Sequence, residues 1–199
     1  MIKSYNKINN DLNEIGLDEA GRGPLIGRVY AAAVNWGNTD ENTKVMDSKK
    51  LSAKKRNEVL KWIKENVDEW AVGFAESEEI DTINILEATK LAMDRAIQQL
   101  TFKPDYLVID GCGWEKKFTN FNTTSIIKGD SKIYSIAAAS ILAKEYHDDY
   151  IKSICTENPE LNKRYDLLSN MGYGTKKHIE GIKKYGLSQY HRKSFKLKN

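Results

Sequence analysis

Cysteine is nearly absent: Cys112 and Cys155 are the only two in 199 residues, far apart and outside any C-x-x-C arrangement. That scarcity excludes a disulfide framework and a thiolate metal site. Histidine is equally sparse, and His147, His178 and His191 do not make up a zinc donor set. Only three prolines occur, and there is no proline-rich linker, internal repeat or low-complexity tract. Long apolar runs are missing too. The longest, Ile136 to Leu142, contains Ser140 and falls far short of the roughly 20 residues of a membrane span. Met1 to Asn6 lacks the apolar stretch of a secretory signal, so cytoplasmic residence without a membrane is the expectation.

What is present suits one α/β domain with a small terminal appendage. Hydrophobic residues make up 40% and charged residues 30%, an ordinary globular balance. The net charge of +3 is unevenly placed: residues 171 to 199 hold eight Lys or Arg against one Glu. A basic tail on a mildly acidic body suits a polyanion such as nucleic acid.

β-branched, apolar segments alternate with helical patterns. Strands are predicted over Glu14 to Asp18, Arg28 to Trp36, Trp70 to Ser77, Tyr106 to Asp110 and Thr123 to Lys128, the first two as an antiparallel pair. Helices are predicted over Ser52 to Asn66 with Ser52 as N-cap, Ile80 to Leu100, Ser131 to Ile154, and Thr175 to Tyr185 with Thr175 as N-cap. Small residues at Ala137-Ala138-Ala139 let the third helix lie close against a sheet.

Carboxylates collect at the ends of these elements. Asp18 and Glu19 close the first apolar strand and run into Gly21-Arg22-Gly23, where glycine permits a sharp turn and a close backbone approach. Strand side chains alternate faces, so both acids face one way only if the strand ends at Asp18. Asp110 closes Tyr106-Leu107-Val108-Ile109, beside Asp18 if the two strands are neighbours. Asp130 sits at a third junction. In an open α/β sheet such strand ends form the ligand crevice. Four converging carboxylates repel one another unless cations separate them, and all-oxygen donors select Mg²⁺ or Mn²⁺. Taken singly, each acid reads more readily as a turn, strand-end or helix cap than as a metal ligand, and it is their joint appearance at the junctions that makes chemistry competitive.

Asp18-Glu19-Ala20-Gly21-Arg22-Gly23-Pro24-Leu25, Asp47-Ser48-Lys49-Lys50-Leu51, Ile109-Asp110-Gly111, Lys128-Gly129-Asp130, Ser135 to Lys144, Gly172-Tyr173-Gly174-Thr175 and His191-Arg192-Lys193-Ser194-Phe195 together resemble, in order and spacing, the ribonuclease HII family. The resemblance implies a ribonuclease H-like fold: a central mixed five-stranded sheet flanked by helices over residues 1–155, with a helical extension over 156–199 packed on it. It implies a monomer that hydrolyses the RNA strand of RNA/DNA hybrids and incises duplex DNA 5′ of an embedded ribonucleotide, leaving 3′-hydroxyl and 5′-phosphate ends. By the same similarity Asp18, Glu19, Asp110 and Asp130 hold two Mn²⁺ or Mg²⁺ ions. Gly21, Arg22 and Gly23 recognise the 2′-hydroxyl and neighbouring phosphates, and Tyr173 stacks on the following deoxyribose. Lys49, Lys50 and Lys144 are candidate phosphate contacts.

The sequence departs from the family pattern at Cys112 to Phe118, where a short proline-containing link is expected, so this loop is expected to be shaped differently. Arg22 and the fourth acid, Asp130, separate the chain from the sister family ribonuclease HIII, which usually carries lysine and glutamate there. Gly21 to Arg28 does not fit the G-x-x-x-x-G-K-[ST] of a phosphate-binding NTPase. The competing function is a non-catalytic nucleic-acid-binding module that uses the basic tail. No sliding-clamp motif is readable in Phe195 to Asn199.

Overall fold

The predicted antiparallel pair is β1 (Glu14–Ala20) with β2 (Val29–Asn35), which sets Asp18 opposite Ala32 and Glu19 opposite Ala31. The computed structural model describes residues 13–37, 39, 45 and 52–197. β3 (Glu69–Ala75) pairs antiparallel with β2, while β4 (Tyr106–Asp110) and β5 (Asn122–Ile126) run parallel on the other side of β1. The result is the expected mixed five-stranded sheet, in the order β3-β2-β1-β4-β5.

β2 is buried along its whole length, so both of its faces carry apolar side chains. Val29, Ala31 and Ala33 face the layer of α2 (Ser77–Gln98), together with Ile15 and Leu17 of β1 and Leu107 and Ile109 of β4. Ala32 and Val34 face the opposite layer, formed by α1 (Ala53–Asn66) and α3 (Tyr134–Glu157). Ile15, Leu17, Leu107 and Ile109 are fully buried, each contributing about 2 kcal/mol relative to exposure. On the α3 side, Ala32 of β2 packs with Ala137, Ala138 and Ala139, and these small side chains bring α3 close enough for its polar residues to reach the strand ends.

Local chemistry set both predicted N-caps. Ser52 Oγ accepts from Lys55 N–H and Thr175 Oγ1 accepts from His178 N–H. Several elements differ from expectation by one to three residues, and some of the differences have a visible cause. β1 continues to Ala20 because β2 goes on pairing with it. α2 starts at Ser77, since the Glu79 carboxylate accepts from Glu76 N–H at 2.9 Å and so caps the helix one turn early. The same helix breaks at Asn84 (φ 68°), whose Oδ1 accepts from Leu86 and Glu87 N–H and caps the second half. β5 ends at Ile126, and a 3-10 turn, Gly129–Ser131, precedes α3 after left-handed Lys128.

α4 (Pro159–Tyr165), α5 (Leu167–Asn170) and α6 (Lys176–Tyr185) complete the chain. Leu161, Tyr165, Leu167 and Ile182 pack with Ile151 and Ile154 of α3 and with Ile26 from the β1–β2 loop. The segment after α6 then pairs with that loop. Gly27 N–H donates to the Tyr190 carbonyl at 2.8 Å, and Arg192 N–H donates to the Leu25 carbonyl at 2.9 Å.

Candidate active site

Parallel pairing between β1 and β4 stops at Leu17 opposite Ile109, so Asp18 and Asp110 stand just beyond the last pair, at the lip of the crevice. Leu17 and Ile109 face α2, and alternation turns both aspartates toward α3. Because β1 runs past Asp18, its acids lie on alternate faces: Asp18 meets Ser140 of α3, and Glu19 points the other way. The open strand end nevertheless lets both line one cleft of about 490 Å³.

Asp18 is 6% exposed. Its Oδ1 accepts from Glu19 N–H at 2.7 Å, and the Ser140 hydroxyl also hydrogen-bonds the carboxylate. Burial, followed by the charges of Glu19 and Asp110, raises its pKa well above the usual carboxylate range. Asp110 Oδ1 accepts from Gly129 N–H at 2.6 Å, which ties the end of β4 to the turn carrying Asp130. Glu19 Oε1 accepts from Arg22 Nη1 at 3.1 Å.

Gly21 has φ of +88°, and a side chain there would meet His147 Cδ2 at 2.5 Å and the Arg28 carbonyl at 2.9 Å. A β-carbon on Gly23 would lie 3.1 Å from Cε1 of Tyr173, so the tyrosine ring stands directly over that glycine. Tyr173 is 45% exposed and lines the cleft. Lys144 also lines the cleft, with Nζ 2.7 Å from Asp148 Oδ1.

Of the predicted residues, the fold therefore gathers Asp18, Glu19, Gly21, Arg22, Gly23, Asp110, Lys144 and Tyr173 around one cleft. Asp130 is buried in its turn and does not line that cleft. Lys49 and Lys50 lie outside the described residues. Sequence reasoning missed Arg56, which lines the cleft and reaches Glu145 at 2.6 Å. It carried no signal, being one basic residue among several in α1. Ser140 lay inside a quoted motif, but its role depends on the spacing between α3 and β1.

The donor set fits a hard divalent cation. It contains only oxygen, and the pKa of Asp18 is raised first by burial and then by the neighbouring Glu19 and Asp110 charges, both of which a dication offsets. Among the described residues no three His, Cys, Asp or Glu side chains are already gathered around one point.

The ribonuclease HII family model matches residues 15–198. Ribonuclease HII of Parabacteroides distasonis is 49% identical over 187 residues, covering 92% of this chain and 90% of that protein. The Bacteroides thetaiotaomicron protein of the same name is 48% identical over 190 residues, covering 96% and 92%. Among solved structures, the complex of PCNA with ribonuclease HII from Archaeoglobus fulgidus matches with a TM-score of 0.75 and 26% identity, over 94% of this chain and 97% of that one. The manganese complex of Bst ribonuclease HIII shares the fold, with a TM-score of 0.57 and 20% identity over 88% of this chain and 63% of that one. This chain belongs to the ribonuclease HII family.

Proposed function

We propose that the cleft hydrolyses the RNA strand of RNA/DNA hybrids and incises duplex DNA on the 5′ side of an embedded ribonucleotide, leaving 3′-hydroxyl and 5′-phosphate ends. The observation that carries this reading is the placement of Asp18 beside Asp110 at the strand ends, with the Gly21–Gly23 loop and the Tyr173 ring on the rim of the same cleft. Asp18, Glu19 and Asp110, with Asp130 brought in from the adjoining turn, would hold two Mn²⁺ or Mg²⁺ ions. When bound, such a pair lowers the pKa of an attacking water and stabilises the leaving oxygen of an in-line displacement at phosphorus.

The remaining steps belong to the chain. Gly21 and Gly23 carry no side chains, so their backbone groups can meet the 2′-hydroxyl, the group that separates RNA from DNA. Arg22, 43% exposed at its side chain, reaches both Glu19 and the cleft mouth, where it pairs with phosphate. Lys144 adds phosphate affinity without sequence information. Tyr173 covers the next sugar, favouring one that lacks the 2′-hydroxyl. Free Cys112 and Cys155 suit a reducing cytoplasm, and no described helix is long and apolar enough to cross a membrane.

Cleavage of a labelled duplex containing a single ribonucleotide tests the proposal. A nick 5′ of the ribonucleotide with Mn²⁺ or Mg²⁺ is expected, and no nick with either ion rules it out. The basic-tail binding module has less support, because the described basic residues of the tail are partly engaged within the fold: Lys177 pairs with Asp166, and Arg192 is buried.

A further inference from the structure

Arg192 is 2% exposed, yet among the described residues no carboxylate lies within ion-pair distance of it. A buried guanidinium is expensive unless its five N–H donors are satisfied. Here backbone oxygens alone satisfy them. Nε donates to the Gly27 carbonyl at 2.8 Å, Nη1 to Arg22 at 3.1 Å and Pro24 at 2.8 Å, and Nη2 to Gly21 at 2.6 Å and Arg28 at 2.9 Å. All five acceptors belong to the single loop that joins β1 to β2, at least 164 residues away in sequence.

This arrangement dictates which way the loop's N–H groups face. Among the described residues no peptide bond is cis, so each N–H of the loop points opposite to the carbonyl of the preceding residue. With the Gly21 and Arg22 carbonyls drawn inward onto Arg192, the N–H groups of Arg22 and Gly23 turn away from Arg192, on a loop that lines the cleft. The same geometry operates at the next peptide but one: the Pro24 carbonyl points to Arg192, and the Leu25 N–H points away, to the Gly172 carbonyl at 2.8 Å. Leu25 thereby spends its donor on the segment preceding Tyr173. Arg22 and Gly23 N–H have no such acceptor among the described residues.

Arg192 is itself held from outside the cleft. The Asp81 carboxylate of α2 accepts from Lys193 N–H at 2.9 Å, Ser194 N–H at 2.8 Å and Ser194 Oγ at 2.6 Å. The Arg192 guanidinium lies over the Phe195 ring, 5.1 Å from its centroid. Burial lowers the Arg192 pKa to about 10, which leaves the group charged at neutral pH. A fixed positive charge and two outward N–H groups on one glycine turn make an anion-binding concavity.

We propose that Arg192 is the positioning residue of the ribonucleotide-reading loop: it gathers the carbonyls of the β1–β2 connection and thereby presents the Arg22 and Gly23 N–H groups to the substrate's sugar-phosphate backbone. The inference rests on the nuclease reading given above. It assigns a task to the basic motif at 191–195, which that reading leaves without one.

Arg192→Lys tests it, because lysine keeps the charge but has three donors where five are used. For the duplex with one ribonucleotide, KM should rise about tenfold or more while kcat stays within about threefold, since the carboxylates are untouched. Hydrogen exchange at residues 21–28 should rise selectively, with protection in β4 and α3 unchanged. Asp81→Ala, on the protein's exterior, should give the same pattern more weakly and supplies the test if Arg192→Lys does not fold. Unchanged KM in both variants overturns the proposal, as does uniform loss of protection with kcat falling and KM constant. A wild-type protein that makes no nick overturns the nuclease reading, whereas a nicking wild type with indifferent variants overturns only the role of Arg192.

Discussion

The Nε2 atoms of His178 and His191 lie 3.1 Å apart in the buried seam between α6 and the closing segment. Their tautomers follow from the backbone. Ser188 N–H can only donate, and it points at His191 Nδ1 at 2.9 Å, so the His191 proton is on Nε2. The Tyr173 carbonyl can only accept, so the His178 proton is on Nδ1, 2.9 Å away. His191 Nε2–H then donates to His178 Nε2, and a second proton on either ring would set donor against donor. This chain ends on the backbone of the residue whose ring caps the cleft.

Both histidines are therefore held neutral. Burial lowers the pKa of each, and that of His191, which also feels His178, falls to about 4. The unfolded chain takes up these protons below about pH 6.5 while the folded chain does not. Stability is thus full above that pH and is lost as pH falls toward 4. For His191 the loss amounts to about 3 kcal/mol. Thermal melts from pH 7.5 to 4.5 should show Tm falling, and His191→Asn should flatten that slope. An equal slope in the variant would show that other groups cause it.

Asp18→Asn should reduce nicking by at least about 100-fold, because it removes a carboxylate proposed to hold the ions. Its effect on stability has the opposite sign. Asp18 has a raised pKa, so the folded state loses stability as pH rises through the interval between the unfolded and folded values. Without metal at neutral pH, the variant should melt higher, by roughly 2–4 °C for each kcal/mol of burial and repulsion cost relieved. A lower Tm together with lost activity would mean that Asp18 serves mainly to hold the fold.

Tyr173 is 45% exposed, while its backbone carbonyl is bound by His178. Tyr173→Ala should therefore change Tm by no more than about 2 °C. The loss should appear instead in the preference for a ribonucleotide followed by DNA over continuous RNA. Gly23→Ala places a methyl group 3.1 Å from Cε1 of the same ring and should weaken that preference by displacing the ring. A large fall in Tm for Tyr173→Ala would make the ring a core residue.

The parts of this architecture written in local chemistry were legible in the sequence. Tyr106 to Asp110 has the observed strand bounds, and Ser52 and Thr175 cap their helices as hydroxyls should. The acids of β1 and β4 follow from apolar runs that end in a carboxylate. Residues whose task lies in distant partners were not legible. Arg192 acts on a loop more than 160 positions earlier, and Arg56 on a helix 89 positions later. Asn84 misled for a different reason: its apolar neighbours keep helical spacing on both sides of a residue that caps the second half itself.

Arg56 supplies the last prediction, since it joins α1 to α3 at the edge of the cleft. Its Nε lies 2.6 Å from Glu145 Oε1, its Nη2 lies 3.7 Å from Asp148 Oδ2, and both carboxylates are buried. Asp148 keeps Lys144 and His147 if Arg56 is removed, whereas Glu145 loses its close cation. Arg56→Ala should cost about 3 kcal/mol, the penalty of stranding one buried charge, and lower Tm by roughly 6–12 °C. Adding Glu145→Gln removes that charge and should restore much of the loss, which a double-mutant cycle measures directly. If the double variant is no more stable than Arg56→Ala alone, the arginine contributes through packing of its stem between the helices, and the ion pair contributes little.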